Sequence, residues 1–200
     1  AATIKKDREN SVYLPGVRLS DNLRASSSLE ETLDGADMVV SAIPSHGLRG
    51  VWDTARGFIG KGTVIVSATK GIEEGTLFTP SAVLKDALKG TPCSGIVVLS
   101  GPSFAKEVIR RLPAAVCAAS ASEDAAKAVQ EAFSMPYFRI YTNTDVIGVE
   151  LGGALKNVIA IAAGISDGLE LGLNARAALI TRGLAEMSRL GAALEARPET

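Results

Sequence analysis

The chain has 200 residues, 46% of them hydrophobic, with 21 Lys and Arg set against 22 Asp and Glu. That length makes one large domain or two small ones with ample apolar side chains for a core. The balanced charge builds no basic field of the kind that holds a nucleic acid backbone. A single histidine and two well-separated cysteines, Cys93 and Cys117, give no zinc spacing. They suit a reducing compartment, with one disulfide left open, so a cytoplasmic protein is expected.

The first ten residues are charged and lack the apolar stretch of a secretory signal. The longest strongly apolar run, Val158 to Ile165, has eight residues, against about twenty for a membrane helix, so no membrane insertion is expected. Ser28 and Glu31 have capping-box spacing and start a short helix before Gly35. Strands are predicted at Met38–Ile43, Thr63–Thr69, Ile96–Ser100, Ala114–Ala118 and Phe138–Tyr141. Helical composition falls between them, at Leu77–Leu88, Ser103–Leu112 and Glu123–Phe133. Continuous apolar strands separated by helices indicate α/β architecture, with a largely parallel sheet covered on both faces. From Asp145 the pattern changes to a Gly- and Ala-rich helix reaching about Ile165, then a second from near Asn174 to Leu194. The expected division is therefore a sheet domain over residues 1–144 and an all-helical one over 145–200.

Four places could carry chemistry. Lys70 follows the apolar run Val64–Thr69, and ligands of open parallel sheets gather beyond the carboxyl ends of strands. Its bland alternative is a loop lysine paired with Glu73 or Glu74. Ser100-Gly101-Pro102-Ser103 joins a strand to a helix beginning near Phe104 and Ala105, a turn that can aim free N–H groups at an anion. The alternative is an ordinary turn with Pro at the first helical position. His46, with Ser45, sits at another strand end and reads as a loop residue near a cofactor at most. Lys156 lies in GVELGGALKNVIAIAAGI, apolar on nearly every face as buried helices are. No carboxylate stands three or four residues away. Burial would lower its pKa toward a proton-transfer role, whereas a lysine on an amphipathic helix ordinarily packs its stem and wets its head. The glycines around it favour function. No GxGxxG opens a βα unit, since Gly60-Lys61-Gly62 leads into a strand. A Ser/His/Asp or Cys/His nucleophile set is equally absent.

In order, YLPG (Tyr13–Gly16), SATKGIE (Ser67–Glu73), SGPSFAKE (Ser100–Glu107), DVIGVELGGALKNVIAIAAGISDGL (Asp145–Leu169) and NARAALITRGLAEM (Asn174–Met187) resemble the bacterial type of NAD(P)-dependent glycerol-3-phosphate dehydrogenase. The resemblance covers essentially the whole chain. It implies a partial Rossmann-type domain followed by helices like the C-terminal helices of 6-phosphogluconate dehydrogenase. It also implies reduction of dihydroxyacetone phosphate to sn-glycerol 3-phosphate with NADH or NADPH, for phospholipid synthesis. Lys156 would then be the catalytic acid/base and a substrate contact, Lys70 a contact to substrate and cofactor, Gly101 and Ser103 substrate contacts, and Ala105 a cofactor contact. Asn157 would help orient the substrate.

The family's glycine fingerprint and its C-terminal phosphate-holding Asp and Arg-Asn pair have no counterpart in the chain. A fragment inactive by itself is therefore expected. Two other readings stand beside this one: a non-catalytic truncated module, or a 3-hydroxyacid or sugar-acid dehydrogenase that likewise joins a Rossmann domain to a helical lysine. The choice of NAD or NADP is not in these residues, nor is the oligomeric state, because a homodimer helix and a core helix look alike in sequence.

Overall fold

The computed structural model describes residues 1–200. It opens with α1 (Ala2–Asp7) and an antiparallel pair, β1 (Glu9–Asn10) and β2 (Leu14–Arg18), so YLPG forms the turn and start of the return strand. The apolar pattern announced none of these. Ser28 caps α2 (Leu29–Leu33) by accepting the Glu31 N–H at 3.2 Å, as its spacing predicts. The chain then alternates: β3 (Met38–Ser41) and α3 (Ser45–Ala55), β4 (Val64–Ser67) and α4 (Pro80–Ala87), β5 (Gly95–Ser100) and α5 (Ala105–Val108), β6 (Ala114–Ala119) and α6 (Glu123–Phe133), then β7 (Phe138–Asn143).

These five strands form one sheet in the order β3-β4-β5-β6-β7. All neighbours run parallel except β5 and β6, which are antiparallel, with Val98 opposite Ala119 and Ser100 opposite Cys117. The reversal has a local cause. Pairs β3–β4, β4–β5 and β6–β7 are each linked by a helix of eight or more residues that returns the chain to the same end, whereas α5 is a single turn.

Alternation along β4 divides the core. Ile65 packs on one face with Leu48, Trp52, Val83 and Leu84 of α3 and α4. Val64 and Val66 pack on the other with Val116, Ala125, Val129 and Ile140. Each such valine, leucine or isoleucine is worth about 1.5–3 kcal/mol when fully buried, and both faces of the sheet are covered.

Two expected helices are shorter than their composition suggests. Leu77 takes a left-handed φ of 60° and Pro80 occupies the first turn, so α4 starts at Pro80. Arg111, also left-handed at φ 60°, stands just before Pro113 and ends the turn after α5. Pro102 is not the first helical residue; Phe104 is the N-cap. Helix α3, by contrast, lies where no helix was expected.

Two long helices follow, α7 (Val146–Gly168) and α8 (Gly172–Ala193), and no strand comes after Asn143. Asp145 caps α7 by accepting the Gly148 N–H at 2.9 Å. The two helices pack along each other, and α7 also rests on β5 and β6. Helix α7 has 23 residues and a mean hydropathy of 1.6 over its most apolar stretch, enough by length and composition to cross a membrane. Counting uninterrupted apolar residues had hidden that. The helix is not enclosed as its apolar composition predicted. Only Glu150, Leu151, Gly153 and Ser166 are buried on it, while Val158 and Ile161 are 65% and 64% exposed.

Candidate active site

Where α7 crosses the carboxyl end of β5, an open cleft of about 350 Å³ forms between sheet and helices. Its position follows from a close approach. A Cβ on Gly153 would lie 2.7 Å from Ser100 Oγ, so the helix settles against the strand end with the Ser100 hydroxyl turned toward this glycine. One residue earlier, a Cβ on Gly152 would meet nothing, which leaves bare backbone facing the cleft. At the strand's end Gly101 turns with φ 154°, and a Cβ there would stand 2.8 Å from the Val116 Cα and 2.9 Å from the Ala115 carbonyl oxygen. The strand-to-cleft turn therefore requires glycine.

Lys70, Gly101, Ser103 and Lys156 all line this cleft, although they come from a strand end, a turn and a helix far apart in sequence. Lys70 forms no ion pair. Its supposed partner Glu73 is held instead by Arg49, whose Nε and Nη2 donate at 2.9 and 2.8 Å. That fork holds the Glu73 carboxyl below the usual carboxylate range, with help from Thr76. The loop carrying Lys70 is fixed against α3, where a Cβ on Gly71 (φ 121°) would lie 3.1 Å from Ser45 Oγ. Lys70 is exposed as a whole residue, yet its pKa is lowered, first by partial burial at the cleft and then by the charge of Lys156.

Lys156 is itself exposed and not enclosed as its helix had suggested. Its Nζ donates to Asn157 Oδ1 at 3.2 Å and makes no ion pair, so the ammonium remains free to act on a ligand. The Ser103 hydroxyl is equally uncommitted, with only a 3.5 Å contact to the Gly101 carbonyl.

Ala105 lies elsewhere. It lines a neighbouring apolar groove with Leu99, Val108 and Phe138, and Ser103 borders both spaces. His46 and Ser45 face a third hollow beside Arg49 and Glu73. Cys117 was overlooked. It faces the cleft because it is the cross-strand partner of Ser100, and partial burial raises its thiol pKa. Its pairing depends on strand register, which no local pattern announces. Both cysteines are free thiols.

A cleft with two unpaired ammonium groups, a bare glycine floor and a free hydroxyl can hold an anionic ligand and protonate an oxygen on it. The chain matches the family model described as NAD-dependent glycerol-3-phosphate dehydrogenase N-terminus over residues 1–126 and the corresponding C-terminus model over residues 145–200. It is 53% identical over 197 residues to the glycerol-3-phosphate dehydrogenase [NAD(P)+] of Citrifermentans bemidjiense, covering 98% of this chain and 59% of that relative. The corresponding protein of Chlorobium limicola is 52% identical over 200 residues, with 100% of this chain and 60% of that protein covered. Among solved structures, a glycerol-3-phosphate dehydrogenase of Coxiella burnetii superposes with a TM-score of 0.92 at 39% identity, covering 99% of this chain and 60% of that one. One from Saccharomyces cerevisiae gives 0.84 at 30% identity, with 99% and 59% covered. The chain thus spans about three fifths of the length of the relatives it matches.

Proposed function

We propose, because this chain belongs to the NAD-dependent glycerol-3-phosphate dehydrogenase family, that its cleft serves the interconversion of dihydroxyacetone phosphate and sn-glycerol 3-phosphate. The carrying observation is the meeting of Lys70, Ser103 and Lys156 around one space. The sheet portion, residues 1–144, would act as the dinucleotide-binding domain and residues 145–200 as the start of the substrate domain. The relatives' names give NAD(P)+ as their cofactor. The bare backbone at Gly152 and the strand-end position of the cleft fit a nicotinamide lying beside the substrate. A nicotinamide cofactor held there would supply the hydride.

The chain's own residues do the rest. Lys156 Nζ donates a proton to the carbonyl oxygen of the ketone as that oxygen gains charge, and takes it back in the reverse direction. Its positive charge beside the oxygen stabilises the developing alkoxide. Lys70 attracts the phosphate-bearing substrate and reaches the cofactor side of the cleft. The Ser103 hydroxyl and the backbone at Gly101 orient the substrate, with Asn157 steadying the Lys156 ammonium. Ala105 would contact the cofactor from the adjoining groove. The product feeds glycerophospholipid synthesis, and the free thiols suit a cytoplasmic setting.

In the full-length protein, Lys156→Met is expected to retain cofactor binding and fold while turnover of dihydroxyacetone phosphate falls by about 10²–10⁴-fold. Steady-state kinetics and a cofactor titration together test it. A Lys156→Met protein of near-normal turnover would end this reading.

A further inference from the structure

We propose that Glu150 is a positioning residue, whose buried carboxylate clamps α7 to the start of α4 and so sets the placement of Lys156 opposite Lys70. The inference rests on the functional reading above for its kinetic consequences but not for its geometry. Glu150 and Ser81 are 6% and 5% exposed, and both carboxylate oxygens are engaged. Oε1 accepts the Ser81 N–H at 2.7 Å and Oε2 accepts the Ser81 hydroxyl at 2.6 Å. A carboxylate in this setting is costly to bury without partners, and a charged acceptor with two short donors is the arrangement that offsets the cost. Ser81 stands in the first turn of an eight-residue helix, where free N–H groups and the helix dipole favour an anion.

The clamp is the one strong polar tie between α7 and the α3–α4 side of the sheet, and it joins residues 69 positions apart. It acts on the cleft through the rigid frame of α7. Glu150, Gly153 and Lys156 follow at successive intervals of three along the helix, so fixing the first two fixes the third within a small rotation. Gly153 supplies the close contact on Ser100, which limits translation. Glu150 supplies the tie that limits rotation and lift. Lys70 sits on the loop between β4 and α4. One residue pair, through two hydrogen bonds, therefore links the element carrying Lys156 to the helix that ends the Lys70 loop. A displacement of the order of 1 Å in a proton donor is enough to cost about 10²-fold in rate.

The test uses two preparations. In the full-length protein, Glu150→Ala is expected to lower kcat by about 10- to 100-fold while the KM for cofactor stays near wild type. Glu150→Gln, which keeps the length and an acceptor for the Ser81 N–H, should restore most of the loss. Ser81→Ala, a milder change that removes one of the two bonds, should shift kcat in the same direction by less, and it serves if Glu150→Ala fails to fold. In the 200-residue chain, nuclear magnetic resonance titration of the Lys70 side chain reads the geometry without turnover. The ionisable side chains lining the cleft are Lys70, Lys156 and Cys117, and partial burial, then the charge of Lys156, holds the Lys70 pKa below the ordinary lysine value. Withdrawal of Lys156 in Glu150→Ala should raise the Lys70 midpoint, as should Lys156→Met. A raised midpoint in a protein that does not reduce dihydroxyacetone phosphate would sink the functional reading and leave the clamp standing. Variants that lose thermal stability but keep both the wild-type kcat and the wild-type Lys70 midpoint would overturn the proposal.

Discussion

The sheet portion and the helical portion of this molecule are built on opposite plans. Between Met38 and Asn143, two apolar clusters fill both faces of a five-stranded sheet. In α7 and α8, five residues are buried in all, and two of them are glycines packed against the side chains of Ser100 and Ala196 while a third is Glu150. The sheet is held by volume and the helices by contacts at named points. One wall of the cleft is set by the sheet core, while Lys156 and the bare backbone at Gly152 stand on an element positioned by Glu150, Gly153 and Asp145.

The comparison makes Trp52→Ala the substitution with the largest effect on stability. Trp52 is 2% exposed in the cluster under α3 and donates its indole N–H to Ser41 Oγ at 2.9 Å. Truncation empties a large volume and leaves that hydroxyl without its donor. The loss should be about 3–5 kcal/mol in urea denaturation followed by far-ultraviolet circular dichroism. A loss under about 1 kcal/mol would mean that the sheet core is not what holds the chain, and the contrast would fail.

Much of the sheet portion was legible, for a physical reason. Strands buried on both faces are written as continuous apolar runs, and Val64 to Val66 with their flanking turns read plainly. The Ser28 cap was legible because capping chemistry is local, and the change to helix from Asp145 because composition shifts there. What escaped depends on partners distant in sequence. The antiparallel β5–β6 pair follows from a crossover too short to bring the chain back, and Cys117 faces the cleft only through that pairing. Nothing local marks Glu150, because its partner Ser81 lies 69 residues away. The composition of α7 suggested enclosure, yet Val158 and Ile161 lie open, because amino acid type records what a surface can bury and not what covers it. Lys70 and Lys156 stood out by their flanking sequence, while their shared cleft is a property of the fold.

A middle-sized effect sharpens the idea that the helices are held at points. Asp145 is 7% exposed. Burial alone would raise its pKa, but the N–H groups of Gly148 and Arg197, with Thr200 and the Arg197 charge, bring it below the ordinary aspartate range. A carboxyl depressed on folding adds stability above its unfolded pKa of about 3.9. That stability is lost as pH falls through the lower folded value. Protection factors of amides at the start of α7 and at residues 196–200 should therefore fall below about pH 4, before those of the sheet core. Asp145→Asn should abolish the fall in protection between about pH 6 and about pH 3. Simultaneous loss of protection in sheet and helices would show one cooperative unit and would dissolve the distinction.

The smallest effect is the most pointed test, because a sequence reader would expect it to be large. Val158, Ile161, Ile165 and Leu169 form a stripe along α7, and each is more than half exposed. Removing an exposed apolar side chain takes nothing from the core, and serine has a helix propensity close to that of valine and isoleucine. The double change Val158→Ser and Ile161→Ser should therefore move the stability of the 200-residue chain by less than about 0.5 kcal/mol. The measurement is a urea midpoint taken at two protein concentrations tenfold apart. An unchanged midpoint at both places the stripe outside the folding energetics and leaves the contrast intact. A loss above about 1 kcal/mol that grows with protein concentration would show the stripe buried against a second copy. The helical portion would then be stabilised by volume after all, with that volume supplied from outside the chain.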